Sequence, residues 1–174
     1  MLIKAYGLFW RADEVDWEPG RGRKFQVLGR VGEKRPGLRV ADFRIQSGLY
    51  ILYGDYGPYY VGLTRSNRLG ARLRAHLRDH HTGRWDRFSW FGFRQVLAPG
   101  VNGVSPLKTM PKAAVGNPND EIRDMEALLI HALGLSSNLN KTNFGRADQW
   151  FQVKADEADR YLGRILLPSH RGRR

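Results

Sequence analysis

The chain has 174 residues, 41% of them hydrophobic and 11% aromatic, which fits one domain with a sizeable core and argues against disorder. Its formal charge of +12 points to a polyanionic partner, and the absence of cysteine excludes disulfides and thiolate metal sites. No apolar run is long enough to span a bilayer, and Met1-Leu2-Ile3-Lys4 lacks a signal-peptide pattern, so a cytoplasmic protein without a membrane partner is expected.

Residues 1–47 read as a β-rich basic extension. Leu2 to Trp10 and Gln26 to Val31 are rich in strand formers, and Pro19-Gly20-Arg21-Gly22-Arg23-Lys24 between them is a basic turn. Arg23 and Lys24 are candidate phosphate contacts there, set against a plain solvated loop. Residues 48–145 read as the core. Leu49–Tyr53 and Tyr59–Leu63 flank the turn Gly54-Asp55-Tyr56-Gly57-Pro58 and predict an antiparallel hairpin. Ser66 or Asn67 then caps a helix to about His80, with Leu69, Leu73 and Leu77 as its buried stripe. Ser89 to Leu97 reads as a third strand, and Ala98 to Pro118 as a long connection. Asn117 and Pro118 open a helix that Gly134 ends. Residues 146–174 add a strand near Gln149–Val153, a helix from about Ala155 to Ile165 and a basic tail, packing on the core.

Several side chains carry chemistry. Ile122, Met125, Leu129 and Leu133 mark the expected apolar side of the second helix, and Glu126 lies at or beside it. A carboxylate there is either a rim residue paired with an arginine or a ligand for Mg²⁺, which favours carboxylate oxygen and water. Arg72 and His76 are one turn apart on the first helix, and His80 continues the row. Arginine can hold a phosphate through two hydrogen bonds and stabilise the charge of a pentavalent transition state. Each is also explicable as an ordinary residue of a basic helix. A transition-metal site on His76 and His80 lacks a third ligand in this reading. Tyr50 and Tyr60, near the ends of adjacent strands, are packing residues or, beside a metal-bound water and an arginine, a potential base.

Taken in order, these motifs resemble the GIY-YIG nuclease family. Gly48-Leu49-Tyr50 is similar to its first motif and Tyr60-Val61-Gly62 to its second, with nine residues between the tyrosines. Arg72-Leu73-x-x-His76 resembles its arginine-bearing helix, Glu126-Ala127-Leu128-Leu129-Ile130 its glutamate helix, and Asn138 its downstream asparagine, with Asn140 as a competing register. The resemblance covers about Gly48 to Asn143. The spacing from Gly62 to Arg72 leaves Arg68 and Arg74 as competing phosphate arginines.

The resemblance implies an α+β fold: a small, mainly antiparallel three-stranded sheet flanked by helices, here with an N-terminal β extension. It implies a DNA endonuclease that leaves 5′-phosphate and 3′-hydroxyl ends. Tyr50, Tyr60, Arg72, His76 and Glu126 would be catalytic, Glu126 holding one Mg²⁺ (Mn²⁺ substituting), and Asn138, Arg68 and Arg74 would support or contact the substrate; Arg23 and Lys24, outside the span of the resemblance, are added as substrate contacts from the basic turn alone. By that resemblance Tyr50 would deprotonate the attacking water, Arg72 would stabilise phosphate charge, and Tyr60 and His76 would orient the phosphate or water and could assist proton transfer, with Tyr60 as the competing base. The alternatives are a non-catalytic nucleic-acid-binding module, stacking bases on Trp85, Phe88, Trp90 and Phe91, and an RNA nuclease.

Overall fold

A computed structural model describes residues 2–33, 37–64, 68–100, 103–109, 118–133, 144 and 147–166. In chain order the elements are β1 (Ala5–Arg11), β2 (Leu28–Val31), β3 (Arg39–Asp42), β4 (Gly48–Gly54), β5 (Gly57–Thr64), α1 (Leu69–His76), β6 (Arg87–Gly92), β7 (Val104–Ser105), α2 (Pro118–Leu133), β8 (Asp148–Gln149), β9 (Phe151–Gln152) and α3 (Ala158–Leu166). The strands form a five-stranded sheet, ordered β5-β4-β6-β1-β8, and a four-stranded sheet, ordered β7-β3-β2-β9. β8 runs parallel to β1 and β7 parallel to β3, and the other pairs are antiparallel.

This corrects the expected fold class. The three strands read from the motif region do lie side by side as β5-β4-β6, but they are not the whole sheet. The edge of β6 that a three-stranded sheet would leave open is covered by β1, which in turn carries β8. With the second sheet, the described residues form a mainly β molecule with three α-helices. Unpaired backbone N–H and C=O groups along a strand edge need partners, and here distant segments supply them.

The two main core clusters lie on opposite faces of β4. Side chains alternate along a strand, so Tyr50 and Leu52 point one way and Ile51 and Tyr53 the other. The Tyr50 face joins Trp10, Phe43, Phe88, Trp90 and Trp150, with Leu69 and Leu73 of α1 laid across it. The Ile51 face joins Tyr6, Phe91, Phe144 and, from α2, Ala127 and Ala132. Trp150 sits between β8 and β9, where the chain passes from one sheet to the other, so the strand expected near Gln149–Val153 is two short ones.

The helices also depart from expectation. α1 ends at His76, and Leu77 to Gly83 forms turns in which the Asp79 carboxylate accepts the His81 N–H at 2.8 Å. The expected cap residues Ser66 and Asn67 lie outside the described residues. On α2 the assumed apolar side is the wrong one. Met125, Leu129 and Leu133 are exposed, while Asp124, Ala127 and Ala132 are buried. Asp124 accepts the backbone N–H groups of Leu2 and Ile3, which docks the helix through small residues and one satisfied carboxylate.

The start of β4 is fixed from behind by Gln46. Its buried side chain accepts the N–H groups of Ser47 and Arg94, both at 3.0 Å, and donates to the Arg94 carbonyl at 3.0 Å. Gly92 makes room, since a Cβ there would lie 2.5 Å from the Gln46 amide. Replacing Gln46 with leucine strands three buried backbone groups, and urea denaturation should show a loss of about 3 kcal/mol.

Candidate active site

The first two motifs meet because of strand register. Tyr50 pairs with Gly62 and Leu52 with Tyr60, so both motif tyrosines share the α1 side of the sheet. The glycines follow from contact. A Cβ at Gly62 would fall 2.2 Å from the Tyr50 ring, and one at Gly48 would fall 2.0 Å from the Phe91 carbonyl oxygen. Gly62 is therefore the floor on which the Tyr50 ring lies, and Gly48 allows β4 to approach β6.

Tyr50 is 0% exposed, and its hydroxyl lies 2.8 Å from Nε2 of His76, itself 4% exposed. On the other side of the imidazole, Nδ1 lies 2.8 Å from the Asp79 carboxylate. The row Asp79–His76–Tyr50 therefore runs carboxylate, imidazole, phenol. Burial pulls the Asp79 pKa upward, but the His81 N–H and the His76 ring outweigh it and hold it below the usual carboxylate range. An ionised Asp79 can only accept, so the hydrogen-bond network assigns the proton to His76 Nδ1 and leaves Nε2 as an acceptor. The Tyr50 pKa is pushed up to about 12, chiefly by burial and then by Tyr60, with Arg72 pulling against both. The phenol is thus protonated at neutral pH and donates to Nε2.

Tyr60 stands beside this row, its ring centroid 5.3 Å from that of His76 and 6.2 Å from that of Tyr50. Arg72, exposed one turn before His76, acts on the Tyr50 hydroxyl from the solvent side. Tyr50, Tyr60, Arg72 and His76 are thus brought together. Glu126 is not. It is exposed on α2, on the side away from Ala127 and Ala132, and α2 packs on the Ile51 face of the sheet. No hydrogen bond or ion pair joins it to the four.

The remaining candidates are dispersed. Arg68 is the exposed residue preceding α1. Arg74 lies over the Phe25 ring at 5.1 Å and faces Glu18 at 3.8 Å. Arg23 and Lys24, with Arg44, border two neighbouring cavities, one of about 540 Å³ reaching Asp159 on α3 and the other reaching Arg74. These cavities are separate from the Tyr50 row. Asn138 and Asn140 lie outside the described residues.

Two residues were missed from sequence. Asp79 completes the row, and His81, 6% exposed, stacks edge-on against His76 at 4.7 Å between centroids. His80, read as continuing the helical row, is instead exposed beyond the helix end. The available signal was the spacing His76-x-x-Asp79-x-His81, concealed by the assumption that the helix ran to His80.

Gly62→Ala should lower stability by about 2 kcal/mol, since Tyr50 has no open side to move toward. Val61→Ala, at an exposed neighbour, should stay within about 0.5 kcal/mol of the native chain in the same denaturation experiment. No family model, curated protein or solved structure matches this chain.

Proposed function

We propose that the protein is a GIY-YIG-type endonuclease that hydrolyses phosphodiester bonds in DNA, acting in the cytoplasm. The observation that carries this reading is the hydrogen-bonded row Asp79–His76–Tyr50, with Tyr60 and Arg72 beside it, in a chain of formal charge +12. A phenol held near pKa 12 is a poor base alone. It becomes an effective one when its proton has somewhere to go. With substrate bound, a water brought against the Tyr50 hydroxyl on its Arg72 side gives a proton to Tyr50 while the phenol's own proton passes to His76 Nε2, and the Asp79 carboxylate stabilises the imidazolium that forms. Arg72 meets the charge that develops on the phosphate, and Tyr60 positions it. This arrangement favours Tyr50 over Tyr60 as the base.

The resemblance also implies Mg²⁺ on Glu126, delivering charge stabilisation at the leaving oxygen. The position of that carboxylate, on the solvent side of α2, does not fit a metal shared with the Tyr50 row.

The rival reading, a binding module that stacks bases, loses its surface. Trp85, Phe88, Trp90 and Phe91 are all buried in the two cores. Among the described residues no helix is long and apolar enough to cross a membrane.

The test is cleavage of labelled single-stranded, duplex and branched DNA, and of RNA, with Mg²⁺, Mn²⁺ or EDTA. Tyr50→Phe and Arg72→Ala should each lower the rate by about 10²–10³-fold while DNA retention on a filter changes little. Asp79→Asn should cost about 10²-fold by unsettling the His76 tautomer. Full activity in Tyr50→Phe would sink the relay. RNA cut in preference to DNA would transfer the reading to an RNA nuclease, and binding without cleavage would favour the module. EDTA compared with Glu126→Ala shows whether a required ion uses that carboxylate.

A further inference from the structure

We propose that His76, Asp79 and His81 form a binding site for a zinc-class divalent transition-metal ion. One ligand atom from each residue lies within 4.8 Å of the other two. Four-coordinate zinc with bonds of about 2.0–2.1 Å holds its ligand atoms about 3.4 Å apart, so small side-chain rotations close the set. Two imidazoles and one carboxylate, with a fourth position for water, is a zinc-type donor set. It is a poor set for Mg²⁺ or Ca²⁺, which require mainly oxygen.

The surroundings are those of a built site. His76 and His81 are buried, while Asp79 is partly exposed and leaves a path to solvent. The turn carrying Asp79 and His81 is held by the His81 N–H on the carboxylate and by Thr82, whose hydroxyl donates to the Asp79 carbonyl at 2.6 Å. Each imidazole also has an outer partner that orients it: the Tyr50 hydroxyl on His76 and, at 3.2 Å, the Tyr59 hydroxyl on Nδ1 of His81. Such outer contacts fix ring orientation in metal sites.

Occupancy has a consequence for His76. The ion takes the place of the proton between Nδ1 and the Asp79 carboxylate. That proton moves to Nε2, which then donates to the Tyr50 oxygen instead of accepting from it. No proton is gained or lost, but the direction of the Tyr50 hydrogen bond reverses. His76 can then no longer take the Tyr50 proton, so the ion inhibits cleavage. This second part rests on the proposed proton relay, whereas the binding site does not.

The experiment titrates the untagged chain with Zn²⁺ against a chromophoric chelator, and with Co²⁺ while recording its visible d–d bands. The native chain should bind one equivalent with the intense spectrum of four-coordinate Co²⁺. Asp79→Ala and His81→Ala, which each remove a ligand, should bind more weakly by at least the ~10–100-fold that loss of a mere outer partner costs, with circular dichroism checking that they fold. His80→Ala, at an exposed neighbour, should bind like the native chain. Equal binding by native and His81→Ala, or loss in His80→Ala alone, would overturn the site. In the cleavage assay, equimolar Zn²⁺ should slow the native chain at least 10-fold and His81→Ala less than twofold. Binding confirmed with cleavage unslowed would overturn the reversal and keep the site. A chain that binds Zn²⁺ but cuts nothing in its absence would overturn the nuclease reading while leaving the site standing.

Discussion

A phenol with no exposed surface in the free protein must find its hydrogen bond inside the protein, and the burial of Tyr50 imposes that condition on everything around it. The ring lies on Gly62 because any side chain there would occupy the same space. The hydroxyl reaches His76 because α1 crosses this face of the sheet on Leu69 and Leu73. His76 is in turn buried, and Asp79 holds its second nitrogen. Strand register, helix placement and the turn after the helix are thus linked through one side chain. The same contacts that satisfy a buried polar group also align a donor, an acceptor and a carboxylate.

The two faces of the large sheet are built on different principles. On the Tyr50 side, large aromatic rings fill the space between the sheets, and Trp10, Phe43, Phe88 and Trp90 meet largely edge to face or tilted. That geometry suits the charge distribution of aromatic rings. On the Ile51 side, α2 comes close through alanines and through the Tyr53 hydroxyl, which donates to the Ala132 carbonyl. Close approach through small residues, with Leu128 packed beside them, leaves Met125, Leu129 and Leu133 facing outward. Glu126 shares that outward side, which explains its separation from the tyrosines in terms of packing.

What could be read from the chain follows the range of the interactions involved. The hairpin at Gly48 to Thr64 and the leucines of α1 are local patterns, and both were legible. So was the grouping of Tyr50, Tyr60, Arg72 and His76, because register and helical spacing fix it. The addition of β1 to β6 joins segments about 80 residues apart, as the contact from the Phe9 N–H to Ser89 illustrates, and no local pattern encodes it. The buried side of α2 was misread because apolar periodicity assumes that the larger residues face the core. Here two alanines and a satisfied aspartate do, with Leu128 as the one large apolar residue seen beside them among the described residues. His81 was passed over because α1 stops one turn earlier than its composition suggests.

The passage of the chain through Trp150 bears on how the two sheets come together. β8 completes the large sheet beside β1, and two residues later β9 completes the small sheet beside β2. One short segment closes both edges, and the Trp10 indole N–H reaches the Trp150 carbonyl across 140 residues of sequence. Contacts of such long range require a large loss of chain entropy before they contribute any stabilisation, which slows folding. Neither sheet is complete until that segment is in place, so the closure of both depends on one stretch of chain. Until then the open edges of β1 and β2 are exposed together to other chains.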